Sequence, residues 1–116
     1  MTRLVVTAPI LPGKVEAWRR LCQEIQGRRQ RGYEESRRHL GIVSEAIWLL
    51  RTPGAEVAVV RVDAQEPEHL LARLSASEHP FDRWFKEQLQ EVCGLDLTPA
   101  SLGPTMELVF DWQQAN

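Results

Sequence analysis

Residues 42–62 read IVSEAIWLLRTPGAEVAVVRV, and the expected fold follows from how this run divides. Ile42 to Leu50 and Glu56 to Val62 are apolar stretches rich in β-formers. Between them lie Arg51, Thr52, Pro53, Gly54 and Ala55, with a proline that presets φ and a glycine that accepts unusual backbone angles. The run reads as a β-hairpin. A sheet covered on one side should alternate apolar with polar. Here both faces are apolar: Val43, Ile47 and Leu49 against Ala46, Trp48 and Leu50, then Val57 and Val59 against Ala58, Val60 and Val62.

Working outward, Arg3 to Ala8 reads as a strand that stops at Pro9. Val15, Trp18, Leu21, Cys22 and Ile25 then recur at helical spacing, and Tyr33, Ser36, Arg37 and Leu40 resume it before Gly41. This predicts a helix from Lys14 to about His39, kinked or broken between Gly27 and Gly32, where each interior glycine costs ~1 kcal/mol. Beyond the hairpin, Pro67 with Glu66 and Glu68 marks a helix start, carboxylates at the positive end of the dipole. Leu70, Leu71 and Leu74 supply its buried face, Ser77 to Pro80 interrupts it, and Phe81, Trp84, Phe85, Leu89, Val92 and Cys93 carry it on to Gly94. In the last segment Met106, Leu108, Phe110 and Trp112 alternate with Glu107, Val109 and Asp111, which predicts a strand over Thr105 to Trp112. The order β, α, β, β, α, β predicts one α+β domain over residues 1–116. Its expected form is a ferredoxin-like sandwich, a four-stranded antiparallel sheet with both helices on one face. The helices cover one apolar face, so the other is expected to pack against a second copy, giving a homodimer joined through its open sheets.

This pattern resembles the dimeric α/β barrel superfamily across nearly the whole chain. More narrowly, Arg31 to Leu50, with Tyr33, Ser36, Gly41 and Glu45 before Trp48, is similar to a group of small bacterial barrels of uncharacterised function. So is the loop Ser77, His79, Pro80, Phe81, Asp82. The resemblance implies a homodimer with a cavity between sheet and helices, in a superfamily that includes cofactor-independent monooxygenases, haem-degrading enzymes, isomerases and subunits without an assigned reaction. The monooxygenase branches commonly place an asparagine on the first strand, whereas the sole asparagine here is Asn116.

Composition narrows the partners. With 14 basic and 16 acidic residues the formal charge is -2, which gives no general attraction to nucleic acids or anionic membranes. The second hairpin strand has no aromatic on which an RNA base could stack. The longest unbroken apolar run, Ala46 to Leu50, falls far short of the roughly 20 residues that span a bilayer, and no export leader is visible, so a cytoplasmic location is expected. Cys22 and Cys93 have no metal-ligand spacing and read as free thiols; no cofactor and no metal is expected.

Charged groups within apolar strands are the strongest candidates for a site. Glu45, Arg61 and Glu107 qualify, with a Glu45–Arg61 pair expected across the hairpin on the open face. His79 lies at the helix break, where an imidazole can contact a ligand, act as a base or equally serve as a cap. Trp48 is expected to line a pocket or the dimer interface, and Tyr33 to pack in the core or else to orient a ligand through its hydroxyl. Trp18, Trp84 and Trp112 read as core, and the arginines 28, 29, 31, 37 and 38 as a solvated face. The expected function is binding of a small, partly apolar molecule between sheet and helices. Catalysis stays open: in an enzyme, Glu45 or His79 would serve as acid or base and Arg61 would stabilise negative charge. The alternatives are a structural or interaction module, a monooxygenase- or isomerase-like enzyme, and a haem or metal binder using His79.

Overall fold

The structure, a computed structural model, describes residues 2–95 and 108–115. The elements run β1 (Thr2–Pro9), α1 (Val15–Gln26), α2 (Gln30–Leu40), β2 (Ile42–Thr52), β3 (Ala55–Ala64), α3 (Pro67–Ala76) and α4 (Pro80–Cys93). The hairpin forms as read. Thr52 pairs with Ala55 across Pro53 and Gly54, and the Thr52 hydroxyl closes the turn, accepting the Ala55 N–H at 3.1 Å and donating to the Ala55 carbonyl at 2.9 Å. β1 pairs antiparallel with the other side of β3, so the strand order is β1-β3-β2.

The four-stranded βαββαβ sandwich is not what the described residues build. They form a three-stranded sheet and four helices, in the order β α α β β α α. Of the expected last strand, 105–107, including Glu107, lie outside the described residues. Leu108, Val109, Phe110 and Trp112 are irregular and between 70% and 83% exposed, so Trp112 is not core. Alternation makes a segment suitable for a sheet, but a strand exists only where an edge pairs with it. Both long helices are divided where the sequence places a break. The first stops at Gly27, where the Gly27 and Arg29 N–H groups both turn back to the Glu24 carbonyl. The second breaks because Ser77 and His79 are extended and Pro80, at the first position of α4, has no N–H to continue a ladder.

Register assigns the faces. Leu4, Val6 and Ala8 of β1, Ala58, Val60, Val62 and Ala64 of β3, and Glu45, Ile47 and Leu49 of β2 face the helices. A bulge between Ile42 and Ser44 turns Val43 out to solvent, away from Ile47 and Leu49, whose face it was expected to share. The core lies under the helix face, where Trp18, Leu21 and Ile25 of α1, Leu40 of α2, Leu70 and Leu74 of α3, and Phe81, Phe85, Leu89 and Val92 of α4 meet over the small Ala58 and Ala64. Among the described residues no helix is long and apolar enough to cross a membrane.

Two glycines of this layer respond oppositely to a methyl group. Gly32 lies inside α2, and a Cβ there would make an ordinary contact with Phe81, 3.4 Å away. Gly41 ends α2 at φ 76°, in the left-handed region. In urea denaturation Gly32→Ala should stabilise the protein by ~0.5–1 kcal/mol through helix propensity, whereas Gly41→Ala should destabilise it by ~1 kcal/mol.

Candidate functional site

Helical spacing puts Tyr33, Ser36, Arg37 and Leu40 on one face of α2, turned toward β2 and the first turn of α4. Leu40 enters the core, so Arg37 must go in beside it. Its side chain is only 9% exposed, and its guanidinium sits among the rings of Tyr33, Phe85 and Phe81, with centroids 4.7, 5.1 and 5.4 Å away. Burying that charge requires partners. Arg37 Nε donates to Glu45 Oε1 at 2.9 Å, and an Nη donates to Ser36 Oγ at 3.0 Å and lies 3.8 Å from Asp82 Oδ1.

Asp82 is fully buried in the first turn of α4, where the helix dipole favours a carboxylate. Ser36 donates to its Oδ1, and Ser77 to its Oδ2 at 2.6 Å. One arginine, two carboxylates and two hydroxyls thus tie α2, β2, α4 and the α3–α4 linker together. Removing Arg37 alone would strand two buried carboxylates, a change of the kind that costs ~3–5 kcal/mol.

Glu45 is the member of this cluster that reaches an opening. Its side chain is 5% exposed. Oε1 accepts both Arg37 Nε and the Tyr33 hydroxyl, the latter at 2.7 Å, while Oε2 has no hydrogen-bond donor among the described residues. Beside it lies a recess of about 470 Å³, walled by the apolar Cys22, Ile25 and Ile47 and by Tyr33, with Gln26, Gln30 and Glu34 completing it. Burial, reinforced by the Glu45 carboxylate, holds the Tyr33 phenol well above its ordinary range. Burial also raises the Cys22 thiol, again with help from Glu45, so it stays protonated and is a poor nucleophile.

The other expected residues lie elsewhere. Glu45 is opposite Val62, and Arg61 is opposite Ala46, so the two charges are on opposite faces and the expected pair across the hairpin does not form. Arg61 instead bonds Asp63 at 2.6 Å and Ser44 at 3.2 Å on the outer face, where Arg3 also binds Asp63 at 2.9 Å. Trp48 is on that outer face and 53% exposed. His79 caps α4: its Nδ1 accepts the Phe81 N–H at 3.1 Å, and its Nε2 faces Glu35 at 3.5 Å. The cap assigns the ring proton to Nε2, so neither nitrogen of the neutral ring offers a free lone pair to a metal or haem. His79 borders a different depression, with Glu35, His39 and Arg73. Metal-donor atoms also converge at Glu66, Glu68 and His69, all exposed, with no buried donor to organise them.

Ser36, Arg37 and Asp82 were missed as site residues. For Arg37 the signal was present: it lies four residues after Tyr33 and three before Leu40, on the face that had to be buried.

The chain matches no protein-family model, and comparison with curated proteins and with solved structures finds no match to either.

Tyr33 is the only tyrosine, so the tyrosinate absorbance near 295 nm reads this residue alone. The folded protein should show no phenolate at ~pH 10, where a free tyrosine is half ionised. Because the folded phenol is raised, the stability it contributes is complete below the ordinary tyrosine range and is lost as pH climbs through the higher folded value. A rise in absorbance centred at the ordinary value, before unfolding seen by circular dichroism, would contradict the Tyr33–Glu45 geometry.

Proposed function

We propose that the protein binds a small, partly apolar molecule in the recess between β2 and helices α1 and α2, where Glu45 fixes a hydroxyl or amine of the ligand. One observation carries this reading: a carboxylate nine-tenths buried whose Oε2 lacks a donor and stands beside an opening. Oε2 is open to the recess, where a ligand donor can take the place of solvent. The apolar body of the ligand would rest on Cys22, Ile25 and Ile47. Arg37 already neutralises Glu45, so the recess favours a neutral donor or a cation and disfavours a carboxylate. A cytoplasmic setting suits the two free thiols, Cys22 and Cys93.

A second copy of the chain is part of the same reading. On the outer face of the three-stranded sheet, Thr7, Val59 and Trp48 form one cross-strand row and Pro9, Val57 and Leu50 the next, while Val43 is at the other end of β2, past the Arg61–Asp63–Ser44 group. Trp48, Leu50 and Val43 are each about half exposed, and a homodimer would take this apolar surface out of water.

Phenol, benzyl alcohol, benzylamine and benzoate, titrated by amide-resolved NMR, test the pocket. The three donors should move the Cys22, Tyr33 and Ile47 resonances and benzoate should not. Glu45→Gln should weaken binding about tenfold, the equivalent of one charge-assisted hydrogen bond, while Arg61→Ala, on the opposite face, should leave it unchanged. Shifts confined to other residues, or equal affinity in Glu45→Gln, would remove Glu45 from the site. For the partner, native mass spectrometry at micromolar concentration should give a dimer that Trp48→Glu converts to a folded monomer; a monomeric wild type would exclude it.

A further inference from the structure

We propose that His79 is a proton-sensitive latch on the first turn of α4, closed while its imidazole is neutral and released when the ring takes up a proton. Nδ1 accepts the Phe81 N–H at 3.1 Å, the His79 N–H donates to Ser77 Oγ at 3.2 Å, and the Ser77 hydroxyl donates to Asp82 Oδ2 at 2.6 Å. The imidazole therefore does the work usually given to Ser, Asp or Asn at a helix N-terminus, with an acceptor that a proton abolishes. A protonated ring carries N–H on both nitrogens. Nδ1 would then present a donor to the Phe81 donor, and the new positive charge would stand at the positive end of the helix dipole. With the side chain about a quarter exposed, solvent protons have access to the ring.

The charged groups around it come from each element that meets there. From α2 come Glu35, 3.5 Å from Nε2, and His39, which borders the same depression; α3 contributes Arg73 and the linker Glu78. From α4 come the buried Asp82 and Lys86, whose ammonium binds the Ser75 and Ser77 carbonyls at 2.9 Å each. Glu35 is the group that most favours a charged ring, but it is half exposed, and such pairs contribute little. Asp82 is already engaged by Ser36, Ser77 and Arg37, Arg73 pairs with Glu66, and Lys86 opposes a second cation. Protonation therefore removes the Phe81 cap bond, and what it meets at Glu35 is a solvent-screened pair. The turn that opens carries Asp82, so release at His79 reaches Ser36, Arg37 and, through Arg37, the orientation of Glu45. The latch rests on the α4 cap and not on the ligand proposed for the Glu45 recess.

Amide hydrogen exchange of the full chain at about pH 7.5 and about pH 5.5, the range over which imidazoles change charge, tests this once rates are corrected for intrinsic pH dependence. Protection of the Phe81 amide should fall about fivefold at the lower pH, the equivalent of the ~1 kcal/mol of a side-chain cap. In His79→Asn, which caps without titrating, it should hold steady. An equal fall in both proteins, or wild-type protection that is unchanged or higher at low pH, overturns the latch. Should His79→Asn fail to fold by circular dichroism, ¹⁵N shifts of the wild-type imidazole decide. A neutral ring protonated at Nε2 whose titration shares its midpoint with the Phe81 amide supports the latch, and independent midpoints or the other tautomer overturn it.

Discussion

The Arg37 guanidinium is the charge around which the helix layer is organised. It is buried because α2 must deliver Leu40 to the core, and the same helical face carries Arg37 in with it. A charge in that position demands counter-charges from whatever packs against it. β2 supplies Glu45 and α4 supplies Asp82, with Ser36 and Ser77 satisfying what remains. Three separate constraints meet in one group: the pairing of α2 with β2, the placement of the first turn of α4, and the conformation of the α3–α4 linker. Among the described residues no deeply buried side-chain polar atom lacks a partner, as such a polar cluster in an apolar layer requires.

The sheet separates two kinds of chemistry. On its helix side the Arg37 cluster leaves one carboxylate oxygen free beside a recess walled by apolar groups. On its outer side Arg3, Asp63, Arg61 and Ser44 satisfy one another at one end of the strands, and the other end is apolar. The recess and the apolar outer surface therefore share no residues. A partly exposed imidazole at the head of α4 is bonded to the buried cluster through Ser77 and Asp82.

Much of this was legible in local pattern. The hairpin, the αL glycine that ends α2, the break before Pro80 and the core faces of α1 and α4 all follow from spacing and turn chemistry between near neighbours. Glu45 and His79 stand out in the sequence, because a charge in an apolar strand or an imidazole at a helix break is visible without knowing its partners. The partners were not legible. Period-two alternation separates Glu45 from Arg61 only when the pairing register is known, and a bulge at Val43 shifts the sorting on β2.

The sequence by itself thus determined which segments up to Cys93 are helical or extended, where they stop, and that more apolar sheet surface exists than helices of this length can cover. Those are properties of adjacent residues and of their periodicity. Only the tertiary structure decided that Arg37 is buried rather than solvated, that Asp82 joins it across the layer, and that residues 108–112 pair with none of the three strands. Each of these is a contact between segments distant along the chain, set by register and packing angle. No local pattern specifies register or angle, because the energy that selects them arises only when the layers are in contact.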